Sequence, residues 1–83
     1  MTRDYSQEIK KLGSKIKRLR LEKKLTQINL AALCDIDVRT VQMIERGELN
    51  MSLKIFFSIA DSLHISPEEL ILNETLENKS GYS

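Results

Sequence analysis

Along the first part of the chain the apolar residues fall at Ile9, Leu12, Ile16 and Leu19, with Lys10, Lys11, Lys15, Lys17 and Arg18 filling the gaps. That spacing follows the 3.6-residue turn and predicts an amphipathic helix over about Ser6 to Lys24. Thr26 then stands at an N-cap ahead of Ile28, Leu30, Ala31 and Leu33, predicting a second helix from Gln27 to Cys34. Asp35-Ile36-Asp37 interrupts it. Aspartates tolerate turn conformations and cap helices, so Asp37 is expected to cap a third helix carrying Val38, Val41 and Ile44 through Arg46, with Gly47 ending it. Ser52 precedes a further stripe, Leu53, Phe56, Ile59, Ala60 and Leu63, which predicts a fourth helix over Leu53 to Leu63. Ser66-Pro67-Glu68-Glu69 joins an N-cap serine, a proline at the first helical position and a glutamate at the third. This capping box predicts a short fifth helix, Pro67 to Leu72. No segment alternates with period two over strand length, so the chain reads as all-α: a domain over residues 1–73 and a polar tail over 74–83.

The chain has 83 residues and a formal net charge of +1. A chain this short forms one domain, with only a few kcal/mol to spare. The balanced total conceals a split. Residues 1–24 hold nine Lys or Arg against three acids, and the remainder holds four against nine. Such a split fits an electrostatically polarised surface, or simply a well-solvated first helix. Cys34, the single cysteine, can form no internal disulfide, which fits a reducing compartment, and a small buried apolar role accounts for it. No run approaches the roughly 20 apolar residues of a membrane span, and no signal peptide is visible. A cytoplasmic protein without membrane contact is expected.

The informative unit is the pair of short helices, Gln27 to Cys34 and Val38 to Arg46, separated by three residues. Helices below about 12 residues are marginal alone, so the rest of the domain must hold them. A link this tight forces a steep crossing and presents the start of the second helix as a ridge that fits a major groove about 12 Å wide.

Leu25-Thr26-Gln27, Leu30-Ala31, Ile36, Thr40-Val41, Ile44-Glu45-Arg46-Gly47, Asn50, Ser52-Leu53, Ala60, Leu63 and Ile65-Ser66 resemble the phage-repressor-like, or Xre, helix-turn-helix family. The resemblance runs from about Ile16 to Leu70. It implies a five-helix lambda-repressor-like domain that binds double-stranded DNA as a homodimer and regulates transcription, without a cofactor. By the same resemblance Val38, Arg39, Gln42 and Met43 stand at or beside base-reading positions. Arg39 is the strongest candidate, because a guanidinium can contact guanine O6 and N7 together. Val38 and Met43 offer apolar contact, or packing. Gln27, Thr40, Arg46, Asn50 and Ser52 match backbone-contacting positions, where side chains and amides position the protein; Thr40 could equally satisfy its own helix. Arg20 and Glu45 match a buried ion pair between helices 1 and 3.

Several residues depart from the family pattern. Asp35 stands where glycine is usual, which is admissible because aspartate tolerates the left-handed region. Asp37 replaces a serine or threonine and puts a negative charge near DNA. Beyond Arg46, Glu48 and Leu49 replace basic residues, which weakens phosphate neutralisation. One module covers a half-site, so two must be joined about 34 Å apart. Ile55, Phe57 and Ser58 on the fourth helix and Leu70, Ile71, Leu72 and Leu76 are candidates for the joint, with Phe57 alternatively closing the core. The competing reading is an interaction module or antitoxin that binds a protein partner, supported by the acidic C-terminal half. Catalysis finds no support: His64, the only histidine, is expected to end the fourth helix as a cation on its dipole, and neither a metal-ligand cluster nor a phosphate loop is present.

Overall fold

The computed structural model describes residues 4–72 and folds them into five helices: α1 (Ser6–Glu22), α2 (Gln27–Cys34), α3 (Val38–Glu45), α4 (Leu53–Ser62) and α5 (Pro67–Ile71). No described residue lies in a strand, and no helix among them is long and apolar enough to cross a membrane. The expected polar tail, with Leu76, lies outside the described residues.

Each expected helix is present, and most end one or two residues earlier than the apolar pattern suggests. For α1, α3 and α4 the reason is backbone handedness. Lys24, Asp35 and His64 take φ of 60°, 56° and 56°. A left-handed residue stops a helix by turning the next amide back onto it. Thus Leu25 N–H donates to Arg20 O, Ile36 N–H to Ala31 O and Ile65 N–H to Ala60 O. His64 therefore ends α4 through its backbone conformation. Only Gly47, after α3, uses the residue type that adopts such a φ without cost, at 74°.

The N-termini use several chemistries. Asp4 accepts from the Ser6 N–H at 3.0 Å and the Ser6 hydroxyl at 2.5 Å, and those bonds hold its carboxyl below its ordinary range. Thr26 caps α2 by accepting from Asn29 N–H at 2.9 Å, and the Asn29 side chain accepts from Thr26 N–H in return. Asp37 occupies the N-cap of α3, but its side chain makes no capping bond; its carbonyl receives Thr40 N–H and Val41 N–H. The box at α5 is half formed. Ser66 Oγ accepts from Glu69 N–H, while the Glu69 carboxylate receives the Ser66 hydroxyl, not the backbone N–H.

The core gathers one stripe from each helix, including Ile16, Leu30, Ile44, Ile59, Leu63 and Leu70, all sealed from solvent. Each such side chain contributes roughly 1.5–3 kcal/mol of burial. Cys34 is buried among them, its sulfur 3.5 Å from Ser62 Oγ. Two of the contacts that fix how α1 lies on the rest are made at Gly13 and Lys15. Gly13 is buried against the end of α3, where a Cβ would meet Ile44 O at 2.2 Å. On the other flank, Lys15 Nζ donates to the carbonyls of Glu69 and Leu72, satisfying acceptors that a helix as short as α5 leaves open.

Candidate nucleic-acid interface

The two short helices are held as a unit by burial on one side only. From α2, Leu30, Ala31 and Cys34 point inward; from α3, Val41, Ile44 and Glu45 do. What remains of α3 is its outer face, beginning next to the turn at Asp35 to Asp37. Arg39 stands exposed there, while Gln42 and Met43 are half-buried. Val38 is also half-buried and packs against the core, so part of its side chain serves to seat the start of α3.

Behind that face lies a buried ion pair. Arg20 and Glu45, 6% and 7% exposed, meet through two parallel bonds: Arg20 Nε to Glu45 Oε2 at 2.6 Å and Nη2 to Oε1 at 3.1 Å. Arg20 Nη1 also donates to Leu25 O at 2.8 Å. The fork geometry of guanidinium and carboxylate, with further bonds on both partners, is what lets two charges leave water. Gln27 Nε2 then donates to Glu45 Oε1 at 3.1 Å, and Gln42 Nε2 donates to Gln27 Oε1 at 3.4 Å. A chain of hydrogen bonds thus runs from the interior of α1 to the first residue of α2 and the outer part of α3. Glu45 can only accept, so it orients the Gln27 amide, and Gln27 in turn orients Gln42. Sequence reasoning foresaw the pair but not this chain, because the spacing of Gln27 and Gln42 carries no signal of contact.

Three of the remaining candidates lie along the segment after α3. Arg46 is exposed and paired with Glu48 at 3.1 Å, Asn50 is exposed, and Ser52 caps α4 by accepting from Ile55 N–H at 3.2 Å. Thr40 is half-buried in the first turn of α3. The structure therefore draws Gln27, Gln42, Arg20 and Glu45 into one network, and leaves Arg39 and Arg46 facing solvent. Among the described residues no group of His, Cys, Asp and Glu could hold a metal.

The expected joint between copies divides. Phe57 and Ile71 are 52% and 58% exposed and Leu72 is 39% exposed, whereas Leu70 is 0% exposed. Leu70 is therefore corrected to the core: α5 points it inward, into the buried cluster that also holds Ile16. Ile55 is half-buried and packs on the core, and Ser58 is half-buried.

A helix-turn-helix family model matches residues 16–70, which include both short helices and the ion pair. The chain is 34% identical over 67 residues to the control protein C.BamHI of Bacillus amyloliquefaciens, covering 80% of this chain and 83% of that one. It is 35% identical over 65 residues to the immunity repressor protein of Bacillus phage phi105; that match spans 45% of the repressor's length and 78% of this chain. Among solved structures, the restriction-modification controller protein C.AhdI from Aeromonas hydrophila superposes with a TM-score of 0.75 at 38% identity, covering 77% of this chain and 97% of that one.

Proposed function

Because the chain belongs to the helix-turn-helix family and is a transcription regulator of the repressor and controller type, not an enzyme, we propose that it binds double-stranded DNA sequence-specifically as a homodimer and reads the major groove with α3. The observation that carries this reading is the one-sided burial of α3: Val41, Ile44 and Glu45 face inward, and Arg39 stands free on the outside. A guanidinium so placed can take guanine O6 and N7 for roughly 1–3 kcal/mol of discrimination. Gln42 and Met43 complete the reading edge, with Val38 beside them. Gln27 at the start of α2, Thr40, Arg46, Asn50 and Ser52 set the register on the backbone. The exposed Phe57, Ile71 and Leu72, with the half-buried Ile55, join two copies so that two half-sites about 34 Å apart are read together. The regulator works in the cytoplasm, on DNA that includes its own promoter.

The test is enrichment of bound duplexes from a random pool together with DNA upstream of the protein's own gene, followed by mobility shift with wild type and Arg39→Ala. Expected is one enriched sequence with two half-sites a helical turn apart, binding steeply dependent on salt, and loss of that preference in Arg39→Ala. A folded protein that enriches nothing would replace this reading with that of a module binding a protein partner.

A further inference from the structure

The family assignment leaves an electrostatic shortfall. Residues 25–72 hold only three cations, Arg39, Arg46 and Lys54, and Arg46 spends part of its charge on Glu48. Affinity for DNA is dominated by phosphate neutralisation, so the counter-charge must come from elsewhere, and α1 carries most of it.

Apart from Arg18, which is exposed and paired with Glu22, the cations of α1 fall on two rims with different neighbours. Positions 10, 13, 17 and 20 stack on one side of a helix, three and four residues apart. Lys10 lies against Gly47, whose Cβ, if present, would sit 2.6 Å from Lys10 Cγ. Gly13 touches the carbonyls of Ile44 and Glu45, and Arg20 pairs with Glu45. This rim therefore follows the end of α3, from the residue after Arg46 to the carboxylate that holds Gln27. Lys11 and Lys15 belong to the opposite rim, beside a groove of about 400 Å³ lined by Leu70 and Ile71 of α5, and Lys15 is already engaged by the α5 carbonyls. Lys10 and Lys17 are exposed, and neither forms an ion pair among the described residues.

We propose that Lys10 and Lys17, on the α3 side of α1, form a phosphate-binding rail that extends the DNA backbone contact beyond the helix-turn-helix, between the Gln27 and Arg46 ends of the site. This inference rests on the DNA-binding reading above. The stem of Lys10 lies beside Gly47, which places this lysine next to the end of α3. The rail carries no base information. It holds specific and non-specific duplexes alike and supplies the charge that Glu48 and Leu49 do not.

The experiment measures binding constants by fluorescence anisotropy across a salt series, on the selected duplex and on a scrambled one, for wild type and the full-length variants Lys10→Gln, Lys17→Gln, Lys11→Gln and Arg39→Ala. Glutamine removes the charge with little change in helix propensity, and circular dichroism melting verifies that each variant folds. Lys10→Gln and Lys17→Gln, each removing one phosphate contact from both copies of the dimer, should each flatten the slope of log K against log salt by about 1.8, equally on both duplexes. Lys11→Gln, which removes the same charge from the other rim, should leave the slope unchanged. Wild-type slopes in the Lys10 and Lys17 variants, or an equal flattening in Lys11→Gln, would overturn the rail while leaving DNA binding intact. If wild type and Arg39→Ala bind the selected and scrambled duplexes indistinguishably, the failure lies in the DNA-reading assignment itself, and the rail falls with it.

Discussion

Arg20 and Glu45 are nearly sealed from solvent, so each is tolerable only because the other is there. Removing one leaves a charge that water cannot reach, whereas replacing both with apolar groups of similar shape removes the cost together with the gain. Arg20→Ala is expected to destabilise the domain by about 3–5 kcal/mol, a large part of the roughly 5–15 kcal/mol typical of whole domains. Combining Arg20→Met with Glu45→Leu should recover most of that loss. Urea unfolding followed by circular dichroism measures both; equal losses in the single and double variants would mean the pair is not the source. The resemblance to a family made this pair legible in the sequence. What it did not carry is that Glu45 also holds Gln27, and Gln27 holds Gln42, since amide contacts between residues 15 and 18 apart leave no periodic trace.

At the scale of the element, the helices were legible because their instructions are local. Apolar spacing sets the buried stripe, Thr26, Ser52 and Ser66 cap where serine and threonine usually cap, and Gly47 ends α3. Where the ends shifted, left-handed Lys24 and His64 did the stopping, and those residue types seldom announce it. Gly13 is the instructive exception. A glycine in mid-helix costs about 1 kcal/mol relative to alanine, so propensity alone favours Gly13→Ala. The contact decides otherwise, because a methyl group there would lie 2.2 Å from Ile44 O, a backbone atom that cannot swing aside. The clash outweighs the propensity gain, and Gly13→Ala is expected to lower stability by about 1–3 kcal/mol. Thermal unfolding checks the sign, and a raised melting temperature would show that α1 and α3 can move apart freely.

At the scale of the whole molecule, the exposed apolar residues of α4 and α5 matter most. Phe57 and Ile71 are more than half exposed, and a domain this small gains from covering them. In the proposed dimer they lie between the copies, so Phe57→Glu should place a charge in a desolvated joint. The expected outcome is a monomer by sedimentation equilibrium and operator binding weakened by about tenfold or more, since each half-site alone is bound poorly. An unchanged dimer would put the joint elsewhere. The role of this surface could only be bracketed from the sequence, which offered Leu70 and Leu72 as equivalent candidates; the turn of α5 buries the first and exposes the second.

The sequence by itself determined the five helices, most of their caps, and the pairing of two short helices around Asp35 to Asp37, because those depend on neighbours within a turn or two. Only the tertiary structure decided which rim of α1 meets α3 and which meets α5. That choice is made by Gly13 admitting the α3 carbonyls, by Arg20 reaching Glu45 25 residues away, and by Lys15 reaching α5 across more than 50 residues. Periodicity defines a face and leaves its partner open, since every apolar stripe is equally content against any other. Close approach and charge pairing break that degeneracy, and both exist only once the chain has folded.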